Sequence, residues 1–343
     1  MKKNWVLSAI LLLPATGSAQ TSNYTVADIV TNANDSRLVN PWGLSRPAKS
    51  TLKENEWWAA DNVTGLSTLY DANGTIVGLQ IVIPPAKGTG PGSPTGTAFN
   101  ANNFAFSTLD GTIQNWDAGQ APAKPGTGCA RCHVLTASIV LDNSGKGASY
   151  QGLTVAKNAT SGAQTYYAAN ANGGIEVYDA TSFSPVTLPP GAFTDSTIPA
   201  GYTPAGIQAI GSRVYVTYNR NAGGGTGYVN AYDTNGKLLL RLQRSPNNFN
   251  QPWGVAMSPS NFGTFSNMIL VGNTGNGWIG AYSPSNGKFQ GFLNNAGQLV
   301  TIPGLWGLEF GNGNVESGPT NVLYFSAGGA NLTTGTFGSI TAH

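Results

Sequence analysis

Short runs of alternating apolar and polar residues, broken by turn residues, fill the chain almost from end to end. Val214-Tyr215-Val216-Thr217-Tyr218 and Val322-Leu323-Tyr324-Phe325 are representative. Their β-branched and aromatic residues suit a half-buried strand. No ten-residue stretch combines helical periodicity with caps. The breaks repeat an aromatic residue followed by a turn, as in Tyr70-Asp71-Ala72-Asn73-Gly74, Tyr178-Asp179 and Tyr232-Asp233-Thr234-Asn235-Gly236. Trp116-Asp117 and Tyr282 with Asn286-Gly287 are variants. Asn-Gly and Asp-rich pairs supply the positive backbone angles that tight hairpins need.

A second phrase recurs in phase with the first. It reads Pro41-Trp42-Gly43-Leu44, Pro252-Trp253-Gly254-Val255 and Leu305-Trp306-Gly307-Leu308, with weaker copies at Thr95-Gly96-Thr97, Gln151-Gly152-Leu153 and Ala205-Gly206-Ile207. Glycines 43, 96, 152, 206, 254 and 307 are separated by 53, 56, 54, 48 and 53 residues. Units of this length with four short strands each are the spacing of propeller blades. The pattern predicts an all-β, six-bladed β-propeller. The last unit holds strands near 307–311, 321–326 and 336–342 and then the chain ends, so Tyr24 to Val30 is expected to supply its fourth strand. That closure removes an open sheet edge.

Composition narrows the functional classes. Residues 1–19 read as a secretory signal, with Lys2 and Lys3, an apolar core from Trp5 to Leu13, and Gly17-Ser18-Ala19 as the cleavage site. Residues 20–343 then form a single propeller domain, secreted or periplasmic, with 15 basic and 15 acidic side chains. A neutral chain has no electrostatic footprint for nucleic acid, and no later segment is a membrane span. The partner expected is a protein, glycan or small molecule.

Strands of each blade run antiparallel from the axis outward, so the Trp-Gly phrases and the second-to-third-strand turns share one end, the upper face. Trp42, Trp253 and Trp306 are expected to rim an opening there, with Asp61, Asn62 and Asn273 nearby as ligand-binding candidates. The competing reading has the indoles wedging blades together and the amides capping turns. Alternation also assigns Leu44, Thr97, Leu153, Ile207, Val255 and Leu308 to sheet packing, and Ser45, Ala98, Thr154, Gln208, Ala256 and Glu309 to the channel. Glu309 alone of these is ionisable, a candidate acid or ligand unless backbone or water satisfies it. Asp61, Asn62 and Glu309 together compose a possible calcium-type oxygen site. With only His133 and His343 as histidines, no Ser-His-Asp set is evident.

Both cysteines lie in Cys129-Ala130-Arg131-Cys132-His133, the Cys-x-x-Cys-His sequence that attaches c-type haem. Two thiols meet the haem vinyl groups and the adjacent imidazole meets the iron. In an exported chain the same spacing also forms a local disulfide, Cys129 to Cys132, and a redox-active or metal-binding pair is the third reading. The phrase falls in the third-to-fourth-strand connection of the second blade, at the lower end.

Tyr24-Thr25-Val26 through Asp35, Leu38-Val39-Asn40-Pro41-Trp42-Gly43-Leu44, Trp58-Ala59-Ala60-Asp61-Asn62 and Gln251-Pro252-Trp253-Gly254 together resemble an uncharacterised family of secreted bacterial proteins related to NHL-repeat propellers. The resemblance spans nearly all of the mature chain and implies a six-bladed propeller without an assigned activity. It is more distantly similar to gluconolactonase-type propellers, whose converging acidic metal ligands are not recognisable here. Three functions therefore stand: a binding scaffold using the Trp/Asn face, a haem redox protein, and a metal-assisted lactonase or lyase.

Overall fold

The computed structural model describes residues 23–47, 55–117, 133–220, 226–245 and 248–343. The signal segment 1–19 and both cysteines lie outside the described residues. Blade 1 contains β2 (Pro41–Ser45), β3 (Trp57–Asp61), β4 (Leu66–Tyr70) and β5 (Ile76–Val82). Blade 2 contains β6 (Pro94–Phe99), β7 (Asn103–Thr108), β8 (Thr112–Asp117) and β10 (Ser138–Asp142). Blade 3 has three strands, β11 (Tyr150–Lys157), β12 (Gln164–Asn170) and β13 (Gly174–Asp179), with a lone bridge from Tyr178 to Pro185 in place of a fourth. Blade 4 is built of β14 (Tyr202–Ile210), β15 (Arg213–Arg220), β16 (Gly227–Asp233) and β17 (Leu238–Arg241). Blade 5 comprises β18 (Pro252–Met257), β19 (Ile269–Asn273), β20 (Ile279–Tyr282) and β21 (Phe289–Phe292), followed by the small hairpin β22 (Asn294–Asn295) and β23 (Gln298–Leu299). Blade 6 joins β24 (Leu305–Phe310), β25 (Leu323–Ala327) and β26 (Thr336–Ala342) to the N-terminal β1 (Tyr24–Thr31). The expected closure is present, running from Tyr24 opposite Ala342 to Thr31 opposite Thr336.

The fold is a six-bladed β-propeller. Each seam between neighbouring blades has its own apolar cluster. Trp58, Phe104 and Trp116 fill the seam from blade 1 to blade 2, and Trp57, Tyr70, Tyr324 and Phe337 fill the seam from blade 6 to blade 1. Burying such aromatic side chains is the main favourable term holding the ring.

The recurring Gly phrase is a β-bulge. In five blades the inner strand skips register between Pro41 and Leu44, Pro94 and Thr97, Pro204 and Ile207, Pro252 and Val255, and Leu305 and Leu308. Blade 3 slips between Tyr150 and Gly152. Two residues then face one small residue of the second strand, such as Ala60, Ser107, Thr217 or Ser326, which is the two-to-one count of a bulge. The bulge hydroxyls are used: Gly96, Gly206 and Gly307 donate their backbone N–H to Ser107, Thr217 and Ser326 at 3.1, 2.8 and 2.9 Å.

The glycines are required by close approach. A Cβ on Gly206 would lie 2.0 Å from the Trp253 carbonyl oxygen, and one on Gly254 would lie 2.3 Å from that of Trp306. Gly43 faces the backbone around Gly96, Gly96 faces Gly152, and Gly307 faces Trp42. The six repeats thus pack bulge against bulge around the axis, where only hydrogen fits.

One connection crosses a blade boundary. Between β8 and β10 in sequence, β9 (Val134–Thr136) belongs to blade 1, pairing in parallel with Gln80–Val82 on the outer edge of β5. No helix among the described residues is long and apolar enough to cross a membrane.

Candidate functional site on the axis and upper face

The bulges bring Trp42, Trp253 and Trp306 together with Ala205 at the upper end of the axis. The three indoles, from adjacent blades 5, 6 and 1, pack on one another instead of rimming an opening. Trp42 stacks on Trp306 with centroids 3.9 Å apart, and Trp253 meets both edge-on at 6.4 and 5.9 Å. Each is 8–9% exposed. Trp253 donates across the ring to the Gln151 carbonyl at 3.2 Å, and Trp306 donates to Asn40 Oδ1 at 3.0 Å.

Beneath this plug the axis encloses a cavity of about 10 Å³, room for about one water molecule. Its walls are four of the six repeat glycines, Gly43, Gly96, Gly254 and Gly307, with Trp253, Gln208 and all six residues assigned above to sheet packing, Leu44, Thr97, Leu153, Ile207, Val255 and Leu308. Ala98 and Ala256, assigned to the channel, lie instead in the seam clusters. Strict alternation misassigns these positions because the bulge inserts a residue and rotates the rest of the strand.

Glu309 turns into the seam between blades 6 and 1. Its carboxylate lies 3.5 Å from Arg46, whose guanidinium also donates to the Phe310 carbonyl at 2.9 and 2.6 Å. Burial raises the Glu309 pKa, and Arg46 offsets part of that rise.

Asp61, at the upper end of β3, is completely buried. Thr68 donates to its Oδ2 at 2.8 Å, while Oδ1 has no hydrogen-bond partner among the described residues. Burial pushes this carboxyl well above the ordinary aspartate range, and the nearby Asp35 charge adds to the effect. Asp35 itself, despite burial, is held low by Arg37, which grips it at 2.7 and 2.8 Å. Asp61 and Glu309 therefore have separate partners at separate levels of the ring. Among the described residues no three His, Cys, Asp or Glu side chains group closely enough to hold a metal ion.

The predicted amides are engaged in the frame. Asn62 donates to the Pro94 carbonyl at 3.1 Å and accepts from Asn40 at 3.5 Å. Asn273 accepts from the Asn250 N–H and donates to the Asn248 carbonyl, each at 3.1 Å. Similar clasps join other seams: Thr95 to Tyr150, Asn219 to Pro252, Thr274 to Leu305 and Ser326 to Trp42, at 2.8, 3.1, 2.7 and 2.7 Å. These bonds satisfy backbone carbonyls that the bulges leave outside the ladders.

A cavity of about 340 Å³ opens on the upper face between blades 5 and 6, beside the plug. Gln251, Asn276, Thr301, Pro303, Ala330 and Leu332 are among its walls. A wider cleft of about 630 Å³ lies at the lower end between blades 6 and 1, around Asn73, Val315 and Tyr324. Neither was foreseen from sequence; the only cue to the first is its cluster of Gly-rich turns at 273–277 and 328–335. His133 is the first described residue after the cysteines, and its carbonyl accepts from Gln80 N at 2.9 Å, which anchors the end of the Cys-x-x-Cys-His phrase to blade 1.

The chain has viral relatives of similar length. Uncharacterized protein R648 of Acanthamoeba polyphaga mimivirus is 30% identical over 305 residues, covering 83% of this chain and 72% of the viral one. The chain belongs to the family of that viral protein. A second relative from the same virus, uncharacterized protein L690, is 28% identical over 327 residues, covering 89% of this chain and 81% of its own length. These relatives are viral, where the sequence phrases had pointed to a bacterial family. No family model matches the chain, so the NHL kinship gains no support beyond the fold itself. Among solved structures, the Dos1 propeller is similar at 11% identity with a TM-score of 0.46, covering 86% of this chain and 82% of that one.

Proposed function

We propose that this chain is an exported propeller that serves as a binding scaffold and takes its ligand on the upper face. The closed axis carries the reading. With the three indoles plugging the ring and space for about one water directly below them, a ligand on the upper face has no axial channel to enter. The upper connections offer concave space, neutral polar groups and a rigid frame clasped at its seams, which are the features of a preformed site. The partner class is a glycan, a small molecule or a protein. A glycan array and a peptide library probed with the mature protein test this. Specific capture that competes with an antibody to the upper connections supports the reading, and capture that only a lower-face antibody blocks contradicts it.

Covalent haem on Cys129, Cys132 and His133 is a second reading, favoured by the anchoring of His133 to the blade 1 edge, which gives the motif a fixed end. Bound haem would be held by Cys129, Cys132 and His133 and would supply one-electron chemistry. An absorption spectrum and haem stain of protein exported from a host that matures c-type cytochromes decide it. A covalent band lost in Cys129→Ala supports haem, whereas a colourless protein without free thiols supports the Cys129–Cys132 disulfide.

A further inference from the structure

We infer that the 340 Å³ cavity between blades 5 and 6 is a binding site for a neutral carbohydrate of about disaccharide size, a step that rests on the upper-face reading above. Its walls contain no ionisable residue. A carboxylate or phosphate would enter without a counter-charge and lose its hydration, which disfavours it. A sugar suits the mixture present. Its hydroxyls match the Gln251 and Asn276 amides and the Thr301 hydroxyl, and its C–H face matches Leu332, Pro303 and Ala330.

Two of the eight non-glycine residues that hold a positive φ among the described residues also line this cavity. Gln251 and Leu332, on opposite sides of the cavity, hold φ of 55° and 57°. Non-glycine residues in this region are held at a cost of about 1–3 kcal/mol, and such outliers concentrate at ligand sites. Asn40 gives an internal comparison. It occupies the equivalent position in blade 1, immediately before the Pro-Trp-Gly phrase, and holds φ of 48°. There the fold uses the side chain, because Asn40 accepts from Trp306 and donates to Asn62. The Gln251 side-chain amide, in the cavity wall, has no hydrogen bond among the described residues, whereas its backbone carbonyl accepts from the Thr274 N–H at 2.9 Å, the counterpart of the 3.2 Å bond from Asn62 N–H to the Asn40 carbonyl. The fold uses the backbone in both blades and leaves only the Gln251 side chain for a ligand. Leu332 also packs against the tryptophan plug. Occupancy therefore changes indole fluorescence without any contact between ligand and tryptophan.

The experiment is calorimetry and intrinsic fluorescence of the mature protein with maltose, cellobiose and N,N′-diacetylchitobiose, and with glucuronic acid as the charged counterpart. At least one neutral disaccharide is expected to bind and shift the emission, with glucuronic acid silent. Thr301 is exposed, so Thr301→Phe blocks the cavity without disturbing the core; it and Gln251→Ala should each weaken binding about tenfold or more. Asn73→Phe in the lower cleft should leave affinity unchanged. No binding of any of the three sugars, or undiminished binding in Thr301→Phe, overturns the inference. If a sugar still binds Thr301→Phe and hydrogen-exchange protection falls on other upper connections, this cavity is wrong and the upper-face reading stands. Neutral peptides binding in place of sugars overturn the carbohydrate class. Protection confined to the lower connections overturns both.

Discussion

Trp42 and Trp306 lie ring on ring, 3.9 Å apart and 18° from parallel, across the seam where the last blade meets the first. That seam is also where β1 completes blade 6 and where Ser326 of blade 6 donates to the Trp42 carbonyl at 2.7 Å. Stacking, strand pairing and a side-chain clasp thus act together where a ring must be closed. Trp306→Ala is expected to destabilise the protein by about 3–5 kcal/mol, since it empties a packed site and leaves Asn40 without its donor. Urea unfolding measures this; a midpoint unchanged from the parent would show that the plug is not structural.

The bulge glycines predict a sharp contrast. Gly254→Ala drives a methyl to within 2.3 Å of the Trp306 carbonyl and should leave little folded protein. Gly145→Ala meets nothing within 4 Å and has an ordinary backbone, so its stability should lie within about 0.5 kcal/mol of the parent. Circular dichroism melts of the two variants side by side provide the check.

Asp61 sets a pH dependence. Its folded pKa is raised by burial above an unfolded value of about 3.9, so between these two values the folded state binds more protons than the unfolded state. Stability contributed by neutral Asp61 is complete below the unfolded pKa and is lost as pH rises through the folded one. Asp61→Asn should flatten this decline. Asp35, whose pKa is held low by Arg37, acts oppositely and loses its contribution only as pH falls through that low value. Denaturation at a series of pH values, parent against Asp61→Asn, reads the difference; parallel curves would remove Asp61 from the account.

The proposed export makes a covalent prediction. Intact mass and N-terminal sequencing of protein collected outside the cytoplasm should find Gln20 as the first residue. A retained Met1 would contradict the signal reading.

The ring was legible in sequence because every blade repeats one local necessity, a glycine where two bulges touch. The N-terminal closing strand was legible from the three-strand remainder of the last unit. The plug was harder to read, since a repeat gives the phase of Trp42, Trp253 and Trp306 but not how side chains from adjacent blades meet at the axis. Alternation misplaced Ala98 and Ala256 because it assumes an unbroken pleat. The parallel addition of β9 to blade 1 and the missing fourth strand of blade 3 are departures from the repeat, and a repeat cannot announce its own exceptions. From sequence, Asn62 and Asn273 read as ligand groups or as turn caps, and their partners, the Pro94 and Asn248 carbonyls, were not legible there.

The most direct test of the central claim is hydrogen–deuterium exchange of the mature protein with and without the tightest-binding oligosaccharide from the array. The account predicts added protection in the upper connections of blades 5 and 6, around 273–277, 300–304 and 328–335, with the lower connections unchanged. Protection centred on the lower connections near Asn73 and 313–322 would contradict it.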